Sequence, residues 1–509
     1  MADFDLAVIG GGINGAGIAR DAAGRGLRVV LFEQNDLASG TSSASSKLIH
    51  GGLRYLEHGE FRLVRAALTE REVLLRAAPH LIRPLRFVLP VNAARRSALL
   101  LRLGLLLYDW IGRREILPGT RALDLGSDKA GAPLRGEFRR AYEYSDCFAD
   151  DARLVALNAV DAAERGAAIR TRTRCVHAER RDVWQLTLYA GGQSEAVTAR
   201  VLVNAAGPWV ETVAGSVLGQ KVQPHLRLDK GTHIVVRRLY DHDRAYIFQA
   251  ADGRVVFAIP FAGDFTLIGT TDELFTGDPA TVAPSAADIT YLCGVVNEYF
   301  RAPISTADVV WAYAGVRSLY DDGAHKPQDI GREYELILDE HGGEAPLLTV
   351  YGGKITTYRH LAGDALGRLA HLFPASRSWT GSWTAHSPLP GGNFAYDGFE
   401  ALVSRTVQRW PFLSDGHARR LAHAYGTRVE NVLLNATRPD DLGQCFGADL
   451  TAAEVRYLMQ KEWAQTADDV LWRRSKLGLR FSQAQTVALA DFMAQEGADG
   501  AERPSPTRP

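Results

Sequence analysis

The feature that most constrains this chain is Asp5-Leu6-Ala7-Val8-Ile9 running directly into Gly10-Gly11-Gly12-Ile13-Asn14-Gly15. A short apolar strand ends in glycines spaced G-x-G-x-x-G at Gly10, Gly12 and Gly15, with Gly11 between the first two. Ala16 to Arg25 then reads as a helix rich in small residues, Gly26 suits its C-cap, and Leu27 to Phe32 reads as a second strand ending at Glu33. Each part has a physical reason. Gly10 permits the tight turn, Gly12 lets the backbone approach a pyrophosphate, and Gly15 lets helix and strand pack closely. The helix N-terminus offers unpaired N–H groups and partial positive charge to phosphates. Glu33, 18 residues beyond Gly15, can accept hydrogen bonds from a ribose hydroxyl, which favours FAD or NAD over NADP.

Composition then excludes classes. The 509 residues carry 58 Lys+Arg against 59 Asp+Glu, with 46% hydrophobic and 23% charged residues. These values fit a globular chain of two to four domains rather than a disordered, fibrous or polytopic membrane protein. A net charge of −1 argues against nucleic acid as a partner, so any attraction to anions must be local. Cys147, Cys175, Cys293 and Cys445 are far apart and form no CxxC pair, so neither a disulfide framework nor a thiolate metal site is expected. Met1-Ala2-Asp3-Phe4-Asp5 has neither a basic n-region nor an apolar h-region, and a cytoplasmic chain is expected.

Further along, Val201-Leu202-Val203-Asn204-Ala205-Ala206-Gly207 is an apolar strand ending in a glycine, as expected of a later strand rejoining the first sheet. Tyr351-Gly352-Gly353-Lys354-Ile355-Thr356-Thr357-Tyr358-Arg359 places paired glycines before a helix, again an N–H site for an anion or a polar ring edge. Between about 180 and 350 many runs read as β. Arg254 to Ile259 and Phe265 to Gly269 flank a glycine turn like a hairpin. After Pro388-Leu389-Pro390-Gly391-Gly392 the texture turns helical.

These residues resemble the FAD-dependent glycerol-3-phosphate dehydrogenases, the aerobic respiratory family. Ile9 through Asp21 resembles the first signature of that family, and Gly352 through Arg359 with Ala362 the second. The stretch from Ser42 and Ser43 through Lys47, His50, Gly51, Gly52, Arg54 and Tyr55 to Glu57 is similar to the segment that passes the flavin. The similarity runs from residue 3 to about 490. It implies an α/β fold with a discontinuous Rossmann-like FAD-binding domain, an antiparallel β-sheet substrate domain and a C-terminal all-helical domain. The expected divisions are 1–387 for the FAD and substrate region, 388–495 for the helical domain and 496–509 for a disordered tail. Within the first, the FAD-binding segments are about 1–90, 150–215 and 345–375, and the substrate sheet about 220–345. The cofactor-contact residues implied are Gly10, Gly11, Gly12, Asn14, Gly15, Glu33, Ser42, Ser43, Lys47, His50, Gly51, Gly52, Gly207, Gly352, Gly353, Lys354 and Thr356.

A glycerol phosphate needs cationic donors for its dianion beside a redox centre at C2. Arg54 and Lys354 lie inside the flavin-contact motifs, where arginine supplies a bidentate fork and lysine a point charge. The resemblance adds Arg317, Arg332, Thr270 and Tyr55 to the substrate pocket. Hydride would pass from C2 of sn-glycerol 3-phosphate to flavin N5 while a base takes the hydroxyl proton, leaving dihydroxyacetone phosphate. His50 and His233 are the candidate bases, and Arg317 can stabilise the developing alkoxide. His50 reads more readily as a flavin hydrogen-bond partner and His233 as a plain strand histidine. An oxidase of the same fold, acting on glycerol 3-phosphate or an amino acid, and a non-enzymatic flavoprotein are the alternatives.

A quinone acceptor requires reach to the bilayer. Ser97 to Ile111 is Leu-rich and interrupted by Arg102, with Arg95-Arg96 and Arg113-Arg114 at its ends. It falls short of the roughly 20 residues needed to span. It reads as an interfacial helix at the inner membrane face or, equally, as a buried core helix. In the C-terminal region Leu458, Trp463, Leu471 and Trp472 recur at helical spacing and read as bundle core. The resemblance implies a cap domain there and a homodimer. Trp472-Arg473-Arg474 shows no recognisable chemistry.

Overall fold

The structure is a computed structural model that describes residues 2–91, 98–112, 114–222, 225–321, 333–374 and 382–501. Its first sheet is built on Phe4–Ile9, with Gln193–Asn204 and Leu347–Tyr351 parallel on one side and Val29–Phe32 and Ala168–Arg170 parallel on the other. Both faces of the first strand are buried. Leu6 and Val8 enter one apolar cluster, while Ala7 and Ile9 enter another on the opposite face. That alternation, apolar on both faces, is what a parallel sheet sandwiched by other elements demands. The helix Ile13–Gly24 packs between Asp151–Glu164 and Tyr358–Leu369. The apolar run ending at Asn204 thus rejoins the sheet directly beside the first strand, with Val203 opposite Val8.

The second sheet is mostly antiparallel. Leu226–Arg237 pairs along its length with Val309–Tyr320, and the expected hairpin forms between Val255–Phe261 and Phe265–Gly269. Two regions differ from their expected placement. Leu48–Ile49 and Ile82–Pro90, expected in the first FAD-binding segment, pair with Arg140–Ala149 in the second sheet. Glu335–Asp339, expected in the substrate sheet, instead edges the first sheet against Leu347–Tyr351. The cause is long-range pairing, such as Phe87 beside Ala245, which no local periodicity encodes.

The C-terminal region is helical around Leu421, Leu458 and Leu471, all buried, but a short antiparallel ribbon, Cys445–Gly447 with Leu450–Thr451, interrupts it. The expected disordered tail from 496 is partly corrected, because the last helix, Gln483–Ala501, extends into its first residues. The remainder of that tail lies outside the described residues, as do Arg95, Arg96 and Arg113.

Candidate active site

One cavity of about 1190 Å³ lies between the two sheets and reaches the C-terminal region. It exceeds the roughly 300–1,000 Å³ of drug-sized pockets, so it has room for an extended ligand and a small one beside it.

At one end stands the glycine turn. Gly10 and Gly12 line the cavity, with Gly10 at φ +114°, where a Cβ would sit 2.5 Å from the Ala205 carbonyl oxygen. Gly15 lies below, where a Cβ would come within 2.0 Å of the Gly10 carbonyl oxygen. Gly11 also stays off the wall, and its N–H donates to Glu33 Oε2 at 2.8 Å. Asn35 N–H donates to Glu33 Oε1 at 2.8 Å. Burial pushes the Glu33 carboxyl up, while these two N–H bonds oppose the shift. Ser42 Oγ accepts the Ile13 N–H at 3.0 Å, so the serine loop is tied to the start of the helix. Ser43 lines the same wall.

The two expected signatures meet. Asn14 Nδ2 donates to the Gly352 carbonyl at 3.0 Å, and the His50 N–H reaches Thr356 Oγ1 at 3.4 Å. Gly352, Gly353, Lys354 and Thr356 therefore share the cavity with His50, Gly51 and Gly52, and Gly207 closes the sheet end. Asn14 Oδ1 is buried without a hydrogen-bond partner among the described residues, an acceptor left for a ligand donor. This atom, the side-chain-free cradle at Gly10 and Gly12, and the Glu33 carboxylate fit a dinucleotide such as FAD.

Lys47 departs from its expected role. Its Nζ turns into the protein, 2.8 Å from Asp151 Oδ2 and 3.0 Å from the Ser43 carbonyl, and it is absent from the cavity wall. It sits at φ +57° and braces the serine loop from behind. Buried ammonium needs such a partner, and Asp151, itself fully buried, supplies it.

The substrate face is made by two paired strands. Asp229, Gly231 and His233 alternate along Leu226–Arg237, opposite Arg317, Gly315 and Tyr313 respectively, and all six line the cavity. Glycine is required in this face for space. A Cβ at Gly231 would meet Thr270 Oγ1 at 2.6 Å, with an Arg317 guanidinium nitrogen 3.6 Å away, and a Cβ at Gly269 would strike the His233 ring at 2.1 Å. Arg317 is half-exposed to the cavity, with Asp272 at 3.9 Å. Lys354 Nζ lies 4.0 Å from the Tyr55 ring centroid, and both residues line the cavity with Arg54. Arg332 lies outside the described residues. Trp311 and Tyr313 were missed as site residues. The signal was present, because positions 311, 313, 315 and 317 share one strand face.

Both candidate bases line the cavity as neutral imidazoles. Burial, reinforced by Lys354 and Arg317, pushes His50 down to about 4. Burial, with Lys47 and Arg317, pushes His233 down to about 3. His233 stacks on Tyr313 with ring centroids 4.9 Å apart, and its Nε2 shares a hydrogen bond of 2.9 Å with Ser46 Oγ. At a distance from the site, burial next to Arg153 likewise pushes His80 down to about 3.

The sign of the stability effect is fixed by these directions. The folded imidazoles of His80 and His233 refuse protons that the unfolded chain accepts below about pH 6.5, so unfolding binds protons and stability falls as pH drops from there toward 3. Each contributes a slope of about 1.4 kcal/mol per pH unit in that window. Urea unfolding followed from pH 7.5 to 5 is expected to show declining stability, and His80→Gln should flatten the slope. An unchanged slope in that variant would refute the assignment.

Gly51 links the site to the apolar helix Ala98–Ile111. Its N–H donates to Tyr108 Oη at 2.8 Å, and that hydroxyl donates to Asp146, which also pairs with Arg71 at 2.7 Å. Leu101, Leu105 and Tyr108 are buried, whereas Leu99, Leu100, Leu103, Leu106 and Trp110 are between 51% and 79% exposed. The helix is thus both core and surface, and among the described residues no helix is long and apolar enough to cross a membrane.

Comparison with known proteins gives two family matches. A family described as FAD dependent oxidoreductase matches residues 5–359, and the C-terminal domain of alpha-glycerophosphate oxidase matches residues 382–499. The glycerol-3-phosphate dehydrogenase of Pseudomonas aeruginosa is 52% identical over 499 residues, covering 97% of this chain and 95% of its own. The D-erythritol 1-phosphate dehydrogenase of Brucella abortus is 49% identical over 491 residues, covering 96% and 97%. Among solved structures, the glycerol-3-phosphate dehydrogenase from Bacillus halodurans complexed with FAD is similar over 100% of this chain and 97% of its own, with a TM-score of 0.75 at 25% identity.

Proposed function

Because the chain belongs to the FAD-dependent oxidoreductases and, within them, to the glycerol-3-phosphate dehydrogenases, we propose that it oxidises sn-glycerol 3-phosphate to dihydroxyacetone phosphate and passes the electrons to a membrane quinone. The observation that carries this reading is that Arg317, Arg54 and Lys354 line the same cavity as the glycine turn. Gly10, Gly12, Asn14 and Glu33 would hold FAD, which would supply a two-electron acceptor for the hydrogen at C2.

The chain's own residues do the rest. Arg317 and Arg54 offer guanidinium forks and Lys354 a point charge to the phosphate dianion and to negative charge developing at the C2 oxygen. Thr270 and Tyr55 form the wall that orients the polyol. The proton leaving the C2 hydroxyl has two candidate receivers, the His50 and His233 imidazoles, and both are neutral at working pH. The decisive experiment is anaerobic titration with glycerol 3-phosphate followed by a soluble quinone. Bleaching and recovery of the flavin band are expected, and a band that ignores glycerol 3-phosphate overturns the reading. Stoichiometric peroxide in air would reassign the acceptor to oxygen.

A second reading of the substrate comes from the erythritol relative, which matches nearly as well as the glycerol one. The ratio of kcat/KM for glycerol 3-phosphate to that for erythritol 1-phosphate decides between them.

The same proposal puts the protein on the cytoplasmic side of the inner membrane, held peripherally through the exposed face of Ala98–Ile111, as a homodimer. The support is the amphipathic division of that helix, with Trp110 at one end and Arg102 beside the leucines. Leu103→Glu with Leu106→Glu removes about 2 kcal/mol of apolar transfer per leucine. The double variant is expected to move from the membrane to the soluble fraction while retaining activity on a soluble quinone. Unchanged fractionation would count against the helix as the anchor, and light scattering reports the dimer.

A further inference from the structure

Trp472-Arg473-Arg474, which showed no chemistry in the sequence, falls in a six-residue π-helix, Asp469–Arg474, at the border of the cofactor cavity. Such wide turns are rare and concentrate at functional sites. The buried Arg474 spans Asp36 with both terminal nitrogens, 3.0 Å to Oδ2 and 2.8 Å to Oδ1, and also donates to the Glu462 carbonyl at 2.7 Å. Arg473 Nε donates to the same Asp36 Oδ2 at 2.6 Å. Asp36 is 1% exposed and lies three positions after Glu33.

A second clamp closes from the other side. Arg172 donates to both Asp469 oxygens, at 2.8 and 2.9 Å, and its backbone N–H donates to the Asn35 carbonyl at 2.9 Å. Glu33, Asn35 and Asp36 are thereby held between the π-helix and the segment after Ala168–Arg170. Trp472 stacks on Trp311 of the substrate sheet with ring centroids 4.6 Å apart, and Trp472, Arg473 and Lys476 all line the cavity.

We propose that the C-terminal domain is an integral wall of the dinucleotide site, in which Arg473 and Arg474 are positioning residues that fix Asp36 and so hold the Glu33–Asn35 turn ready for the adenosine ribose. The proposal rests on FAD occupying this cavity. A carboxylate oriented in advance binds its ligand without an ordering cost, and an anchor lost from behind it returns that cost to binding.

The test is FAD affinity, read by flavin fluorescence on apoprotein, for wild type, Asp36→Asn and Arg473→Gln. Each variant is expected to bind FAD, and ADP read by its competition with FAD, more weakly by a common factor, about tenfold or more in Asp36→Asn and about threefold or more in Arg473→Gln. Equal factors follow because the loss lies on the adenosine side. Arg473→Gln leaves the Arg474–Asp36 pair in place and carries the test if Asp36→Asn does not fold. FAD affinity within twofold of wild type in the folded variants overturns the proposal, whether or not apoprotein stability falls. A wild type that binds no FAD overturns the underlying cofactor assignment instead.

Discussion

Replacing Arg317 with methionine is expected to lower kcat/KM for glycerol 3-phosphate by about two to three orders of magnitude while FAD content stays at the wild-type level. The guanidinium projects from Val309–Tyr320 into the cavity and is half-exposed there, with Asp272 no closer than 3.9 Å. A cation held this loosely is available to an incoming dianion rather than spent on the fold. Its neighbours explain the separation from cofactor binding. Gly231 and Thr270 flank it on the substrate sheet, while the serine loop is tied to that strand at other positions, by Thr41 Oγ1 donating to the Val316 carbonyl and the Tyr313 hydroxyl donating to the Ser45 carbonyl. Arg317→Lys keeps the charge but loses the planar fork, so it should recover some of the activity and no more. Steady-state kinetics with a soluble quinone, alongside flavin absorbance per protein, separate the two effects. A kcat/KM unchanged in the methionine variant would remove Arg317 from the site.

Legibility in the sequence followed the range of the physics involved. The glycine turn was readable because each glycine answers a local steric demand, and the structure places Gly10 and Gly12 on the cavity wall with Gly15 packed behind them. The convergence of the two signatures was legible only as resemblance, since the Asn14–Gly352 hydrogen bond joins distant chain segments. Lys47 shows the limit of motif reading. It stands among residues that face the cavity, yet a left-handed backbone turns it onto Asp151. Trp463 and Trp472 look alike in sequence, both aromatic at helical spacing. The first packs on the core beneath the parallel sheet, and the second stacks on Trp311 at the cavity. Nothing local distinguishes them, because the difference lies in which distant surface the C-terminal domain meets. Sheet membership of Ile82–Pro90 was hidden for the same reason.

Gly12 and Gly15 belong to one motif but are expected to fail in opposite ways. A Cβ at Gly15 would lie 2.0 Å from the Gly10 carbonyl oxygen, backbone that cannot move without opening the turn, so Gly15→Ala should lower the unfolding temperature of the apoprotein itself. A Cβ at Gly12 would meet, among the described residues, only Ser42 Oγ at 3.1 Å, and the backbone is extended at φ −81°, ψ −176°, which valine adopts without strain. Gly12→Val is therefore expected to fold, with an apoprotein melting point near wild type. Its side chain instead fills the cavity at the N-terminus of Ile13–Gly24, where a pyrophosphate must approach the backbone. Losing two charge-assisted hydrogen bonds there costs about 4 kcal/mol, or about a thousandfold in FAD affinity. Calorimetry of the apoproteins and FAD titration at a temperature well below unfolding distinguish the two variants. A Gly12→Val protein that purified with its full complement of flavin would mean that the phosphates do not lie on this turn, and the placement of every group beyond them in the cavity would fall with it.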